Sequence, residues 1–132
     1  MSIRYLSEND IYKLYSINES VYLKDKSKSD NLCDYENSDL YLTSVYGDPD
    51  SALISFDGTF ICVAGCGISI YFIESKKCIQ LFNEPEEIIW TEGVYQSAED
   101  GQHYVRFNAN TETEKFRIYR LNVKTSGLEI LS

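Results

Sequence analysis

Apolar residues in this chain come in short runs separated by turn residues, and the clearest series lies between Ser51 and Phe82. Ser51 to Phe56 ends at Asp57-Gly58, Thr59 to Ala64 ends at Gly65-Cys66-Gly67, and Ile68 to Ile73 is separated from Cys78 to Phe82 by Glu74-Ser75-Lys76-Lys77. β-Branched and aromatic residues dominate these runs, which suits a pleated surface, and Asp-Gly between two of them tolerates the positive φ that a hairpin turn requires. The connections are too short for helices, so the pattern predicts a four-stranded antiparallel meander over 51–82.

A second series follows the polar connector Asn83-Glu84-Pro85-Glu86-Glu87. Ile88 to Gln96, His103 to Ala109, Lys115 to Val123 and Leu128 to Leu131 read as strands, with turns at Ala98-Glu99-Asp100-Gly101, Thr111 to Glu114 and Ser126-Gly127. Alternation places His103, Val105, Phe107 and Ala109 on one face, so His103 is expected on the core side. The two series match each other: Asp57-Gly58 with Asp100-Gly101, Ile70-Tyr71 with Ile118-Tyr119, Leu81 with Leu131. Each is a blade-like unit of the kind that builds β-propellers. A closed propeller needs at least four blades and the length allows about three, so packed or twisted sheets are expected and not a ring.

The first fifty residues read differently. Ser7-Glu8-Asn9-Asp10 ahead of Ile11, Leu14 and Tyr15 combines a capping serine, first-turn acids and helical spacing, which predicts a short helix from about Glu8 to Ile17. Ser20 to Leu23 and Leu40 to Tyr46 read as strands, and the polar run from Lys24 to Asn31 as solvated loop. The expected fold is therefore mainly β, antiparallel sheets built from two four-stranded meanders with one short N-terminal helix. The expected organisation is a single domain over 1–132: helix, acidic loop and first strands over 1–50, one meander over 51–82 and the other over 83–132.

Composition narrows the function. Twenty-one acidic against twelve basic residues give a formal charge of −9, which repels phosphate backbones and anionic lipid surfaces, so neither nucleic acid nor a membrane is the expected partner. The N-terminus lacks a signal-like apolar region and no apolar run is long enough to span a bilayer, which points to the cytoplasm and to reduced cysteines. Of Cys33, Cys62, Cys66 and Cys78, the one close pair is Cys62-x3-Cys66, so no metal or other cofactor is expected. His103 is the single histidine, Gly65-Cys66-Gly67 is too short for a phosphate loop, and no nucleophile-base signature is present, so no catalytic residue is assigned and the chain is not read as an enzyme.

The acids are segregated. Lys and Arg are absent from Ser29 to Ser75 and from Cys78 to Val105, whereas acids recur through both stretches. Such a surface keeps a tyrosine-rich sheet soluble and its edges unpaired. It also offers a binding face: Asp48, Asp50, Glu84, Glu86, Glu87 and Glu92 in or near turns, bordered by Tyr41, Tyr46, Trp90 and Tyr95. Aromatic rings supply buried area and carboxylates steer and pair with basic residues.

The acidic β segments Leu40 to Gly58 and Cys78 to Asp100, in a small tyrosine-rich chain without catalytic signature, resemble the immunity proteins of bacterial contact-dependent growth inhibition and related polymorphic toxin systems. That resemblance implies an inhibitor that covers the active site of a cognate basic toxin domain, a nuclease being the expected kind. Two other readings stay open: a non-enzymatic β adaptor for a peptide or protein, and a hydrolase using Glu and Asp.

Overall fold

The computed structural model describes residues 3–83, 89–110 and 117–131. These form three four-stranded antiparallel meanders that follow one another along the chain. The first sheet holds β1 (Ile3–Glu8), β2 (Tyr12–Ile17), β3 (Ser20–Asp25) and β4 (Leu40–Ser44); the middle sheet β5 (Ser51–Ile54), β6 (Phe60–Gly65), β7 (Gly67–Phe72) and β8 (Lys77–Leu81); the third β9 (Trp90–Tyr95), β10 (Tyr104–Asn110), β11 (Arg117–Asn122) and β12 (Leu128–Ile130). The two anticipated meanders are present, and Asp57-Gly58 and Asp100-Gly101 both lie between the first and second strands of their sheets.

The N-terminal helix is not formed; its residues are the end of β1 and all of β2. The polar cluster that reads as a helix cap closes a hairpin instead. The Asn9 side-chain oxygen accepts from the backbone N–H groups of Ile11 and Tyr12 at 2.9 and 2.7 Å, and the Asn9 N–H donates to the Tyr12 carbonyl. Beyond it, Leu14 and Tyr15 are both buried but on opposite faces, Leu14 against the middle sheet and Tyr15 on the far side. A helical stripe and a strand buried on two faces leave the same apolar spacing here, and pairing to β1 and β3 on either side selects the strand. Residues 1–50 thus supply a third meander, and the blade-like unit occurs three times.

The central strands of the middle sheet, β6 and β7, are buried on both faces, which explains their near-continuous apolar sequence. Ile61, Val63 and Tyr71 pack against Leu14, Val21, Leu23, Leu42 and Val45 of the first sheet. From the opposite face Phe60, Cys62, Ala64, Ile68 and Ile70 meet Val94, Val105, Phe107, Ala109, Tyr119 and Leu121 of the third. The first strands adjoin, β1 beside β5 and β5 beside β9, so the three sheets fan out from a shared edge as consecutive propeller blades do.

The outer faces of the end sheets are finished differently. On the first sheet Tyr5, Tyr15, Tyr22 and Tyr41 stand opposite one another across all four strands, and the segment after β3 folds over them. Tyr22 stacks on Tyr15 at 5.5 Å and meets Tyr35 and Tyr41 edge-on. Lys24, expected in solvated loop, is instead the last-but-one residue of β3 with its side chain 1% exposed. It is ion-paired to Glu36 at 2.8 Å and Asp39 at 2.9 Å, while Tyr15 donates to Asp39. The long aliphatic stem lets Lys24 lie on the sheet, and two carboxylates from the overlying segment make its burial tenable. On the third sheet Asp100 is clamped by Arg106 through two 2.6 Å hydrogen bonds and by Arg120 at 3.0 Å, and Arg120 also pairs with Glu129. His103 is exposed in the turn before β10 and not on the core face, because the β10 ladder begins only at Tyr104.

Candidate functional site

Where the first strands converge, the chain leaves a cavity of about 340 Å³, open to solvent on one side. Its walls come from all three sheets: Arg4 of β1, the linker Tyr46 to Asp50 between β4 and β5, Gly65 at the end of β6, Trp90, Thr91 and Glu92 of β9, and Asn110 at the end of β10.

Local chemistry fixes each wall. The linker turns through two left-handed residues, Gly47 with φ +76° and Asp48 with φ +72°; aspartate tolerates that region better than most residues, which suits it to this corner. The Gly47 N–H donates to the Glu19 carboxylate at 2.7 Å, Pro49 is fully buried, and the Asp50 N–H donates to the Ala64 carbonyl at 2.8 Å. The Arg4 guanidinium donates to the carbonyl oxygens of Pro49 and Asp50, tying β1 to the linker. Gly65 has no room for a side chain: a Cβ there would stand 2.7 Å from Val45 Cγ1.

Trp90 is held by its neighbours. Cys66 forms an isolated antiparallel bridge with it, and the Thr91 hydroxyl accepts from Gly65 N–H at 2.7 Å and donates to the Gly67 carbonyl at 2.6 Å. Two residues on, the Gly93 N–H donates to Asp50 Oδ2 at 2.9 Å. β9 is therefore sewn to the turn between β6 and β7 and to the start of β5, and Trp90 is 44% exposed, its ring tilted against Tyr46 with centroids 6.2 Å apart.

The electrostatics are lopsided. Among the described residues, Asp48, Asp50 and Glu92 line the cavity against one cation, Arg4. Asp50 is partly occupied by Gly93, but the carboxylates of Asp48 and Glu92 form no hydrogen bond or ion pair with any described residue. On the outer faces of the end sheets, Glu36, Asp39, Asp100 and Glu129 are committed to cationic partners. The Arg106 hydrogen bond, with Arg120 behind it, holds the Asp100 carboxyl below its ordinary range, and the hydrogen bond from Lys24 does the same for Glu36. Burial works against the charge on Lys24, yet Glu36 and Asp39 outweigh it and raise the ammonium above its usual value. At Tyr15, burial and then the Asp39 carboxylate push the phenol upward.

Of the ten residues that the sequence nominates for the binding face, Tyr46, Asp48, Asp50, Trp90 and Glu92 line this cavity. Tyr95 does not; it sits at the far end of β9, opposite Arg106. Tyr41 belongs to the tyrosine row of the first sheet. Glu84, Glu86 and Glu87 lie outside the described residues, as does the turn expected at Thr111 to Glu114. Arg4 and Asn110 are additions that no sequence pattern marks, because each is one polar residue at a strand position far from the acidic turns.

The cysteines are dispersed: Cys62 is buried in the core, Cys66 half-buried in a turn, and Cys33 and Cys78 exposed. Cys78 lies on β8, an edge strand of the middle sheet. Among the described residues no helix is long and apolar enough to cross a membrane. The chain matches no known protein-family model and no characterised protein sequence.

Proposed function

We propose that this chain is a binding protein without chemistry of its own, which captures a basic protein partner at the cavity between Tyr46 and Glu92. The observation that carries this reading is the gathering, from the linker after β4 and from β9, of exposed aromatic rings with carboxylates that have no partner among the described residues. Unpaired acids beside rings attract a desolvated cation, and a formal charge of −9 steers a basic partner toward the protein from a distance. The most specific form of the reading is an immunity protein: a cytoplasmic inhibitor that covers the active site of a cognate toxin domain, a nuclease presenting Lys and Arg where nucleic acid would lie. In this form the acidic cavity stands in for the phosphate backbone.

The test takes as its partner a candidate toxin domain sought in the genes neighbouring this chain's own. The parent protein should bind that domain with an association rate that falls steeply with added salt, and should protect cells expressing it. Glu92→Lys, at an exposed strand position, should stay folded and lose protection. Retained protection by a folded Glu92→Lys, Asp48→Asn double variant would move the interface away from this cavity. Absence of any binding by the parent would end the immunity reading and leave the adaptor reading in its place.

A further inference from the structure

Resting on that reading, the cavity's geometry specifies what the partner inserts: we infer that it seats one arginine side chain, laid on the Trp90–Tyr46 pair and held by Asp48 and Glu92. These two carboxylates, without a partner among the described residues, come from different parts of the chain, Asp48 from the linker after β4 and Glu92 from β9, and line the same cavity as the ring pair. A lysine ammonium is a compact point charge that cannot stack. A guanidinium is flat, stacks on aromatic faces and carries five N–H donors in a fork, so it can lie on the rings and serve both carboxylates.

The wall itself supports this chemistry. Arg4 already rests a guanidinium there, with its donors on the Pro49 and Asp50 carbonyl oxygens, 2.5 Å in the latter case. Arg4 spends those donors on backbone oxygen and not on Asp48 or Glu92, so among the described residues three lining carboxylates face one cation. A cavity of about 340 Å³ takes a side chain with part of its flanking backbone, which fits a residue on a partner's loop better than a free ion. The same protein also places a guanidinium over a ring elsewhere: the Arg120 carbon lies 5.3 Å from the centre of the Tyr104 ring.

Trp90 is the single tryptophan, so its emission reports on this site alone. The probes are three capped tripeptides, Gly-Arg-Gly, Gly-Lys-Gly and Gly-citrulline-Gly, titrated into the full chain at fixed ionic strength. The arginine peptide should give a saturable change in Trp90 emission, the lysine peptide should need severalfold more, and the uncharged citrulline peptide should give none. Asp48→Asn and Glu92→Gln, checked for folding by circular dichroism, should each weaken the arginine response about fivefold or more, in line with loss of a charge-assisted hydrogen bond. Equal responses to arginine and lysine, a response to citrulline, or an arginine response unchanged in both variants would overturn the assignment. If no peptide acts while the toxin domain still binds the parent and fails to bind Glu92→Lys, the arginine seat is wrong and the binding reading stands. If neither peptide nor toxin domain binds, both fall.

Discussion

The outer faces of the first and third sheets solve one problem in two ways. Each places an acid with a side chain 1% exposed, Asp39 or Asp100, over a sheet and neutralises it with cations from the strands below. On the first sheet the cation is Lys24, itself sealed from solvent beneath the segment that carries Glu36 and Asp39. On the third sheet the cations are Arg106 and Arg120, whose side chains remain 22% and 28% exposed. A buried pair has no water to fall back on when one member is removed, whereas a half-exposed guanidinium can be rehydrated. The difference teaches that the covering segment of the first sheet is a closed structural element, while the network on the third is a solvent-facing clasp.

Removing one partner on each side should separate the two designs. Lys24→Ala leaves Glu36, Asp39 and the Tyr15 hydroxyl around an emptied site and should cost about 3 to 5 kcal/mol, read as a lowered urea midpoint. A loss under about 1 kcal/mol would mean that the overlying segment rehydrates freely and that the two faces are alike. Asp100→Asn should cost less, about 1 to 2 kcal/mol, since each arginine keeps water or Glu129. Its signature is in pH: the folded carboxyl titrates below its unfolded value, so the unfolded chain binds more protons there. The stabilisation is complete above the ordinary aspartate range and is lost as pH falls through the folded value, so the parent should weaken below about pH 4 with a steeper slope than Asp100→Asn. The smallest effect is that of salt. Raising sodium chloride to 1 M should shrink the difference between parent and Asp100→Asn and leave that between parent and Lys24→Ala almost unchanged, because screening reaches exposed charges first.

How far the sequence disclosed this arrangement depended on whether a residue's neighbours in sequence were also its neighbours in space. The middle sheet was legible because Ile61, Cys62, Val63, Ile68 and Ile70 are apolar whichever face they occupy, and Asp57-Gly58 marks its hairpin. The first sheet misleads at Asn9, which bonds two following N–H groups just as a helix cap does, and only the strands on either side of β2 decide the outcome. Lys24 was read as solvated because its partners lie twelve and fifteen positions away, beyond any local pattern. The candidate site was half visible. Acids and rings clustered in turns identified Tyr46, Asp48, Asp50, Trp90 and Glu92, but not which turn faces which. Tyr95 follows Glu92 by three positions and is aromatic like Tyr46 and Trp90, yet strand rise carries it out of the cavity to the side of Arg106.

The burial of β6 and β7 on both faces sets how the molecule opens. Amides of Ile61, Cys62 and Val63 in β6 and of Ser69 and Ile70 in β7 sit in ladders with a hydrophobic layer above and another below. Fraying of either end sheet uncovers just one side of them. Proton exchange with deuterated solvent at these positions should therefore proceed only when the whole chain unfolds, and their exchange free energies should equal the global stability, whereas those of β12 and β1 should fall well short of it. The centre of the fan thus acts as a timer for the entire protein: any ligand that slows its exchange must be stabilising all three sheets together.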